Sequence, residues 1–215
     1  MGRAHKYSHV FWDWNGTLFD DVEWCINVIN TMLVKRGLST LSSVSEYHCA
    51  FCFPVIEYYR NVGFDFNKEP FDVLAAEYIG LYHSGNSGNC ELFPAAKNVL
   101  AEVWRMGITQ VILSASEICN LAAQVEPFGI MNYFDELLGL TDIYASSKVD
   151  VGIDYIRRKG IISAILIGDS KHDFEVAQKL GIDCMLIPNG HQSKETLLTC
   201  GVPVLDDISF VLDFL

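Results

Sequence analysis

Six short runs of the chain are apolar almost without interruption: "HVFWDW" (9–14), "QVILSA" (110–115), "DELLGL" (135–140), "AILIGD" (164–169), "CMLIP" (184–188) and "VPVL" (202–205). A strand covered on both faces of a parallel sheet reads this way, whereas a half-exposed strand alternates. From residue 95 on, segments with helical spacing of apolar positions separate these runs. "AAKNVLAEVWRMG", "CNLAAQVEPFG", "GIDYIRRKG" and "FEVAQKLG" end in Gly107, Gly129, Gly160 and Gly181, and glycine is the usual stop after a helix. Strand and helix in regular alternation predict an α/β fold, a doubly wound, mostly parallel sheet.

The stretch between the first and second strands is too long for one crossover and carries no strand signal. "VEWCINVINTMLVKRG" (22–37), "SVSEYHCAF" (43–51), "PVIEYYRNVG" (54–63) and "PFDVLAAEYIGLYH" (70–83) read as helices instead. The chain is therefore expected to divide into an α/β core, residues 1–19 and 93–215, and an inserted helical cap, residues 20–92. The Gly, Ser and Asn content of "SGNSGNCELFP" (84–94) predicts a hinge at the return. An insertion at the carboxyl end of the first strand sits over the edge where open α/β sheets bind ligands, so it is placed to act as a lid. "ISFVLDFL" at the end of the chain reads as a last amphipathic helix.

Half of the residues are hydrophobic and 20% are charged, a balance that gives a compact chain rather than a disordered one. The net charge of -12 and pI near 4.8 argue against nucleic acid or an anionic membrane as partner, since both are held by clustered Lys and Arg. No apolar run approaches the roughly 18 residues of a membrane span, and "MGRAHKYSHV" has no signal-like apolar stretch. A cytoplasmic protein, monomer or homodimer, is the expectation. The seven cysteines, an odd number, fit a reducing compartment. Cys49 and Cys52 form a C-x-x-C, but no second pair follows at zinc spacing, and small apolar residues on a helix is the simpler reading.

Four features fall at carboxyl ends of expected strands or next to them: Asp13 with Thr17, Ser114, Lys148, and "GDSKHD" (168–173) with Asp169 and Asp173. A parallel sheet would bring them to one edge, giving carboxylates for a hard cation, an amine, and hydroxyls for phosphate oxygens. Each also has a plain structural use, in shaping a turn or capping a helix. Taken together, "DWNGTLFDD", "ILSAS", Lys148 and "IGDSKHD" resemble, in order, the four motifs of the haloacid dehalogenase-like (HAD) superfamily. "ELFPAAKNVLAEVWRMG" and "EPFGIMNYFDELLG" are similar to its phosphoglycolate-phosphatase-like branch, which has a Rossmann-like core and a helical cap.

The resemblance implies a Mg²⁺-dependent phosphatase of a small phosphorylated substrate, with Asp13 as the nucleophile that becomes an aspartyl-phosphate. Thr17, Ser114 and Lys148 would hold the phosphoryl group, and Asp13, Asp169, Asp173 and the backbone carbonyl of Asn15 would ligate Mg²⁺. Two positions depart from the pattern. Val149 stands where a proline usually follows the lysine, and Asn15 stands where the family's phosphatases carry the aspartate that protonates the leaving group and activates water. An amide has no ionisable proton for either task.

Three consequences stay open at this stage. A group elsewhere replaces the missing acid and base, with His48, Glu57 and His172 as candidates; or the chain is a phosphate-ligand-binding or regulatory protein with little turnover; or the side chain of Asn15, which is followed by Gly16, deamidates to the absent aspartate. Dehalogenation is disfavoured by the retained Asp169 and Asp173, which imply a metal. The cap would set specificity, and Arg60, His48, Tyr47, Phe51, Phe53, Tyr58 and Tyr59 are candidates to face the cleft, though aromatics at helical spacing equally build a cap core.

Overall fold

The computed structural model describes residues 5–84, 90–140 and 147–215. Five parallel strands form the central sheet: β1 (His9–Trp12), β4 (Thr109–Glu117), β5 (Glu136–Leu140), β6 (Ala164–Gly168) and β7 (Asp183–Leu186), in the order β5-β4-β1-β6-β7. The apolar runs alternate between the two faces of this sheet. Val10, Trp12, Ile112, Ile165 and Ile167 pack on one side against α5 (Ala96–Arg105) and α6 (Ile118–Val125). Phe11, Val111, Leu113, Leu166 and Leu186 pack on the other against α7 (Lys148–Lys159) and α8 (Lys171–Leu180). Both faces are dry, which is why the strands read as continuous apolar runs. The buried indole of Trp12 keeps its N–H satisfied by donating to Gln110 Oε1 at 3.0 Å, and Gln110 in turn donates to the Leu100 carbonyl.

The long crossover holds four helices, α1 (Val22–Lys35), α2 (Val44–Ala50), α3 (Val55–Asn61) and α4 (Phe71–Ser84). They enclose their own apolar cluster, with Ile29, Met32, Leu33, Tyr47 and Leu74 at its centre. Chain entry and exit are joined by β2 (Phe19–Asp20) paired antiparallel with β3 (Glu91–Leu92), a ribbon of two residues a side. Nothing in the local pattern marks so short a ribbon, since two residues carry no periodicity. Residues 85–89 of the expected hinge lie outside the described residues.

Several expectations for single elements need correction. "VPVL" is no sixth strand: it contributes one bridge, Leu186 to Val204, because Pro203 has no N–H to continue a ladder. The terminal segment forms 3-10 turns over Ile208–Asp213 rather than an α-helix, with Ile208 and Val211 buried. A helix α9 (Lys194–Leu198), capped by Ser193, was not signalled by periodicity at five residues. Cys49 is exposed on α2, whereas Cys52 follows that helix half-buried and packs against the apolar cluster of the insertion, both as free thiols. Among the described residues no helix is long and apolar enough to cross a membrane.

Candidate active site

The parallel register places the chemistry. Trp12 lies level with Ile112 of β4 and Ile167 of β6, so Asp13, Ser114 and Asp169 emerge side by side just beyond these positions. Asp13 is held in place by its N–H, which donates to the Ile167 carbonyl at 2.9 Å. Lys148 arrives as the first residue of α7, whose start is fixed by a reciprocal cap between Ser147 and Asp150. Asp173 arrives on the first turn of α8, held by the same kind of cap with Ser170. That cap role for Asp173 coexists with a second contact. Lys148 Nζ donates to Asp13 Oδ1 at 2.5 Å and to Asp173 Oδ1 at 2.6 Å.

Oxygens of Asp13, Asp169 and Asp173 lie within 4.8 Å of one another, and all three residues are buried. One lysine does not balance three carboxylates there. Burial and the charge of Asp173 push the Asp13 carboxyl up to about 7 despite Lys148, and burial pushes Asp169 to about 6. Asp173 is raised by burial but brought below its ordinary value by Lys148 and Ser170. Lys148 loses by burial and gains more from its two carboxylates, so it stays charged. A buried oxygen-only donor set with surplus negative charge fits a hard divalent cation such as Mg²⁺.

Thr17 Oγ1 points at Asp13 Oδ2, 3.4 Å away, and Ser114 Oγ accepts from the Ser116 N–H at 3.1 Å. The loop beside them leaves no room for side chains. Gly16 has φ +75°, and a Cβ there or on Gly190 would collide with the Asp169 carboxylate. The "DWNGT" and "PNGH" loops can close on Asp169 because both bring glycine.

Asn15 sits in a network that the sequence alone did not reveal. Its Nδ2 donates to Asp21 Oδ2 at 2.8 Å and to the Tyr82 hydroxyl at 3.1 Å, and its Oδ1 accepts from Ser116 Oγ at 3.2 Å. Tyr82 also donates to Asp21 Oδ2 at 2.6 Å. The amide is thus bonded at both ends, and the Gly16 N–H, whose attack deamidation would require, donates to Phe19 O at 2.9 Å. Asp21 is 1% exposed. Burial raises its carboxyl, but His191, Tyr82 and Asn15 outweigh burial and hold it low.

His191 completes this group. Its backbone N–H donates to Asp169 Oδ2 at 2.5 Å, its Nδ1 meets the Tyr47 hydroxyl at 2.9 Å, and its Nε2 stands 3.5 Å from Asp21 Oδ1. Burial disfavours its charge, yet Asp21 raises its pKa to about 9. The stability that this charge contributes is full below the unfolded value near 6.5 and is lost as pH rises through about 9. The urea midpoint of the wild type should therefore fall more between pH 6.5 and 9.5 than that of His191→Gln. Equal slopes in the two proteins would show that the pair does not form.

Of the candidate replacements for the missing acid, Glu57 pairs with Arg60 on the exposed side of α3, away from the cleft. His48 Nε2 is engaged with the Gly190 carbonyl at 2.8 Å. His172 lines the cleft stacked on Phe53, and burial together with Lys148 lowers its pKa. Tyr47, Phe51, Phe53, Tyr58 and Tyr59 line the cleft, whereas Arg60 and His48 are not among its lining residues. Tyr47, Tyr58 and Tyr59 do double duty, since they are also buried in the cap cluster. Asp21, Tyr82 and His191 are the additions. Only the second carboxylate of "FDD" and the histidine after "NG" hinted at two of them.

The sequence model of the haloacid dehalogenase-like hydrolases matches residues 10–187. A phosphoglycolate phosphatase of Rhodobacter capsulatus is 24% identical over 194 residues, covering 85% of each chain. Among solved structures, a haloacid dehalogenase-like family hydrolase from Streptococcus pneumoniae superposes with TM-score 0.84 at 20% identity, over 97% of this chain and 98% of that one. The protein tyrosine kinase A of Mycobacterium tuberculosis superposes at 0.81, also with 20% identity, over 98% of both chains. At such identities the structural matches speak for the fold alone.

Proposed function

The chain belongs to the haloacid dehalogenase-like hydrolase family, and from that premise we propose that it is a Mg²⁺-dependent phosphatase of a small phosphorylated substrate, with Asp13 as nucleophile. The observation that carries the reading is Lys148 Nζ held between Asp13 and Asp173, beside Asp169, at the floor of a cavity of about 430 Å³. The phosphatase name of the relative described above supports it.

In this reading one Asp13 oxygen attacks phosphorus and the bond from phosphorus to the leaving oxygen breaks, leaving an acyl phosphate on Asp13. Water then attacks phosphorus, inorganic phosphate departs and the carboxylate is restored. Lys148 favours the ionised form of Asp13 and offsets charge on the phosphoryl oxygens. Ser114 accepts a bond and retains its own proton, which it can donate to a phosphoryl oxygen, as can Thr17. Asp13, Asp169, Asp173 and the Asn15 carbonyl would hold Mg²⁺, which supplies positive charge against the phosphoryl group when bound.

A second reading, recognition of a phosphoryl ligand with little turnover, is favoured by Asn15 itself, whose amide protons are committed to Asp21 and Tyr82. Hydrolysis of para-nitrophenyl phosphate and acetyl phosphate by mass-verified protein, with Mg²⁺ and with chelator, separates the two. Metal-dependent multiple turnover is expected. Metal-dependent phosphate binding without release of product would carry the second reading instead.

A further inference from the structure

The sequence has 15 lysines and arginines, yet among the described residues Lys148 is the only one of them that lines the cavity. Of the stretches outside the described residues, 85–89 and 141–146, "GNSGN" and "TDIYAS", contain none, and 1–4 contain Arg3. Arg60, the cation that the cap's sequence offered, pairs with Glu57 and lies over the Phe66 ring. The histidines do not supply the lack. His191 is turned to Asp21 and the Tyr47 hydroxyl, and His172 is stacked on Phe53. His83 lines the cavity from the exposed end of α4.

Beyond the phosphoryl site the lining is acidic and aromatic. Asp21 and Glu117 face the cavity, and its cap wall is built largely from Phe51, Phe53, Tyr58, Tyr59, Tyr78 and Tyr82. Of the buried polar atoms on this lining, the Tyr58 hydroxyl has no hydrogen-bond partner, whereas Asp21 Oδ1 faces His191 Nε2 at 3.5 Å. Buried polar groups seldom go unsatisfied, so an unpartnered hydroxyl on a cavity wall marks where a ligand's polar atom belongs.

We propose that the substrate is a phosphomonoester with a single anionic group. Its leaving group carries no carboxylate or second phosphate, stacks an apolar face on the cap aromatics, and brings a polar atom to the Tyr58 hydroxyl. This rests on the phosphatase reading and specifies it. Among the described residues a second anion in this cavity meets no arginine or lysine beyond Lys148, while it would approach Asp21 and Glu117, and like charges set together cost binding. Phosphoglycolate, with a carboxylate next to the phosphate ester, is therefore not the preferred substrate, even though a relative bears that activity in its name.

Two non-hydrolysable probes test this without requiring turnover: benzylphosphonate, with one anionic group and a ring, and 3-phosphonopropionate, which keeps the carboxylate. Calorimetric titration of the wild type with Mg²⁺ should give tighter binding of benzylphosphonate by about tenfold or more. Equal binding, tighter binding of the carboxylate probe, or binding of neither overturns the proposal. Ile79→Arg sets a cation on the cap wall, where Ile79 is 49% exposed, and should narrow that ratio by strengthening 3-phosphonopropionate selectively. An unchanged ratio in a folded variant would show that the missing cation does not set the preference. Failure to hydrolyse para-nitrophenyl phosphate, with the binding preference intact, would count against the phosphatase reading alone.

Discussion

Asp13→Asn is expected to abolish Mg²⁺-dependent phosphate release, lowering kcat by about 10⁴-fold or more, since loss of a covalent nucleophile removes the chemical route itself. The substitution is close to isosteric, and Asp13 is placed by its backbone bond to Ile167 rather than by its side chain. The fold should survive, and with it a near-native thermal transition. The electrostatics point the same way. Asp13 carries a pKa near 7 because it is buried and because three carboxylates share one lysine, so a neutral amide there relieves both costs and should raise the stability of the metal-free protein slightly. Activity that persists in the folded variant would place the nucleophile elsewhere. Loss of activity together with loss of the thermal transition would call for the same comparison in Asp13→Ser.

Asn15→Asp is expected to raise kcat toward para-nitrophenyl phosphate, with a ceiling of about 10² to 10⁴-fold, the usual worth of general acid and base help. The surroundings decide how much of that range is reached. The amide that is replaced donates to Asp21 Oδ2 at 2.8 Å, so the new carboxylate would face a buried carboxylate at hydrogen-bond distance. Such a pair shares a proton, and one of its pKa values rises sharply. A raised pKa suits a general acid, but repulsion should lower stability. Relief should come from pairing the change with Asp21→Asn, which restores a donor opposite the new acid. The double variant should therefore exceed the single one in both kcat and urea midpoint. A single variant no faster than wild type, with intact phosphate binding, would mean that chemistry does not limit turnover or that position 15 lies out of reach of the leaving oxygen.

The same network gives a physical reading of the substitution. A carboxylate is absent at position 15 and present at Asp21, one turn of loop later, where Asn15, Tyr82 and His191 stabilise it. Tyr82 comes from α4 and Tyr47, which meets His191, comes from α2. Both belong to the helical insertion and are bonded to the edge that carries Asn15 and His191. Any movement of the insertion away from that edge would break these bonds and change the electrostatics around Asn15.

By itself the sequence determined the parallel α/β core, because "HVFWDW", "QVILSA" and "AILIGD" are apolar almost without interruption and a sheet covered on both faces buries such runs. It also determined the existence of the helical insertion and the set Asp13, Thr17, Ser114, Lys148, Asp169 and Asp173. Those residues follow strands or begin helices, and in a parallel sheet all such junctions share one edge. Only the tertiary structure decided what surrounds Asn15. Asp21, Tyr82 and His191 are separated by 61 and 109 residues along the chain, and no local period or spacing links a loop carboxylate, a cap phenol and an imidazole beyond β7. Their meeting depends on how the cap closes over the sheet, which is a matter of packing between separate apolar clusters. The same holds for the charge of the cavity: Arg60 and Lys148 look alike in the sequence, and packing turns one outward to Glu57 and the other inward to Asp13.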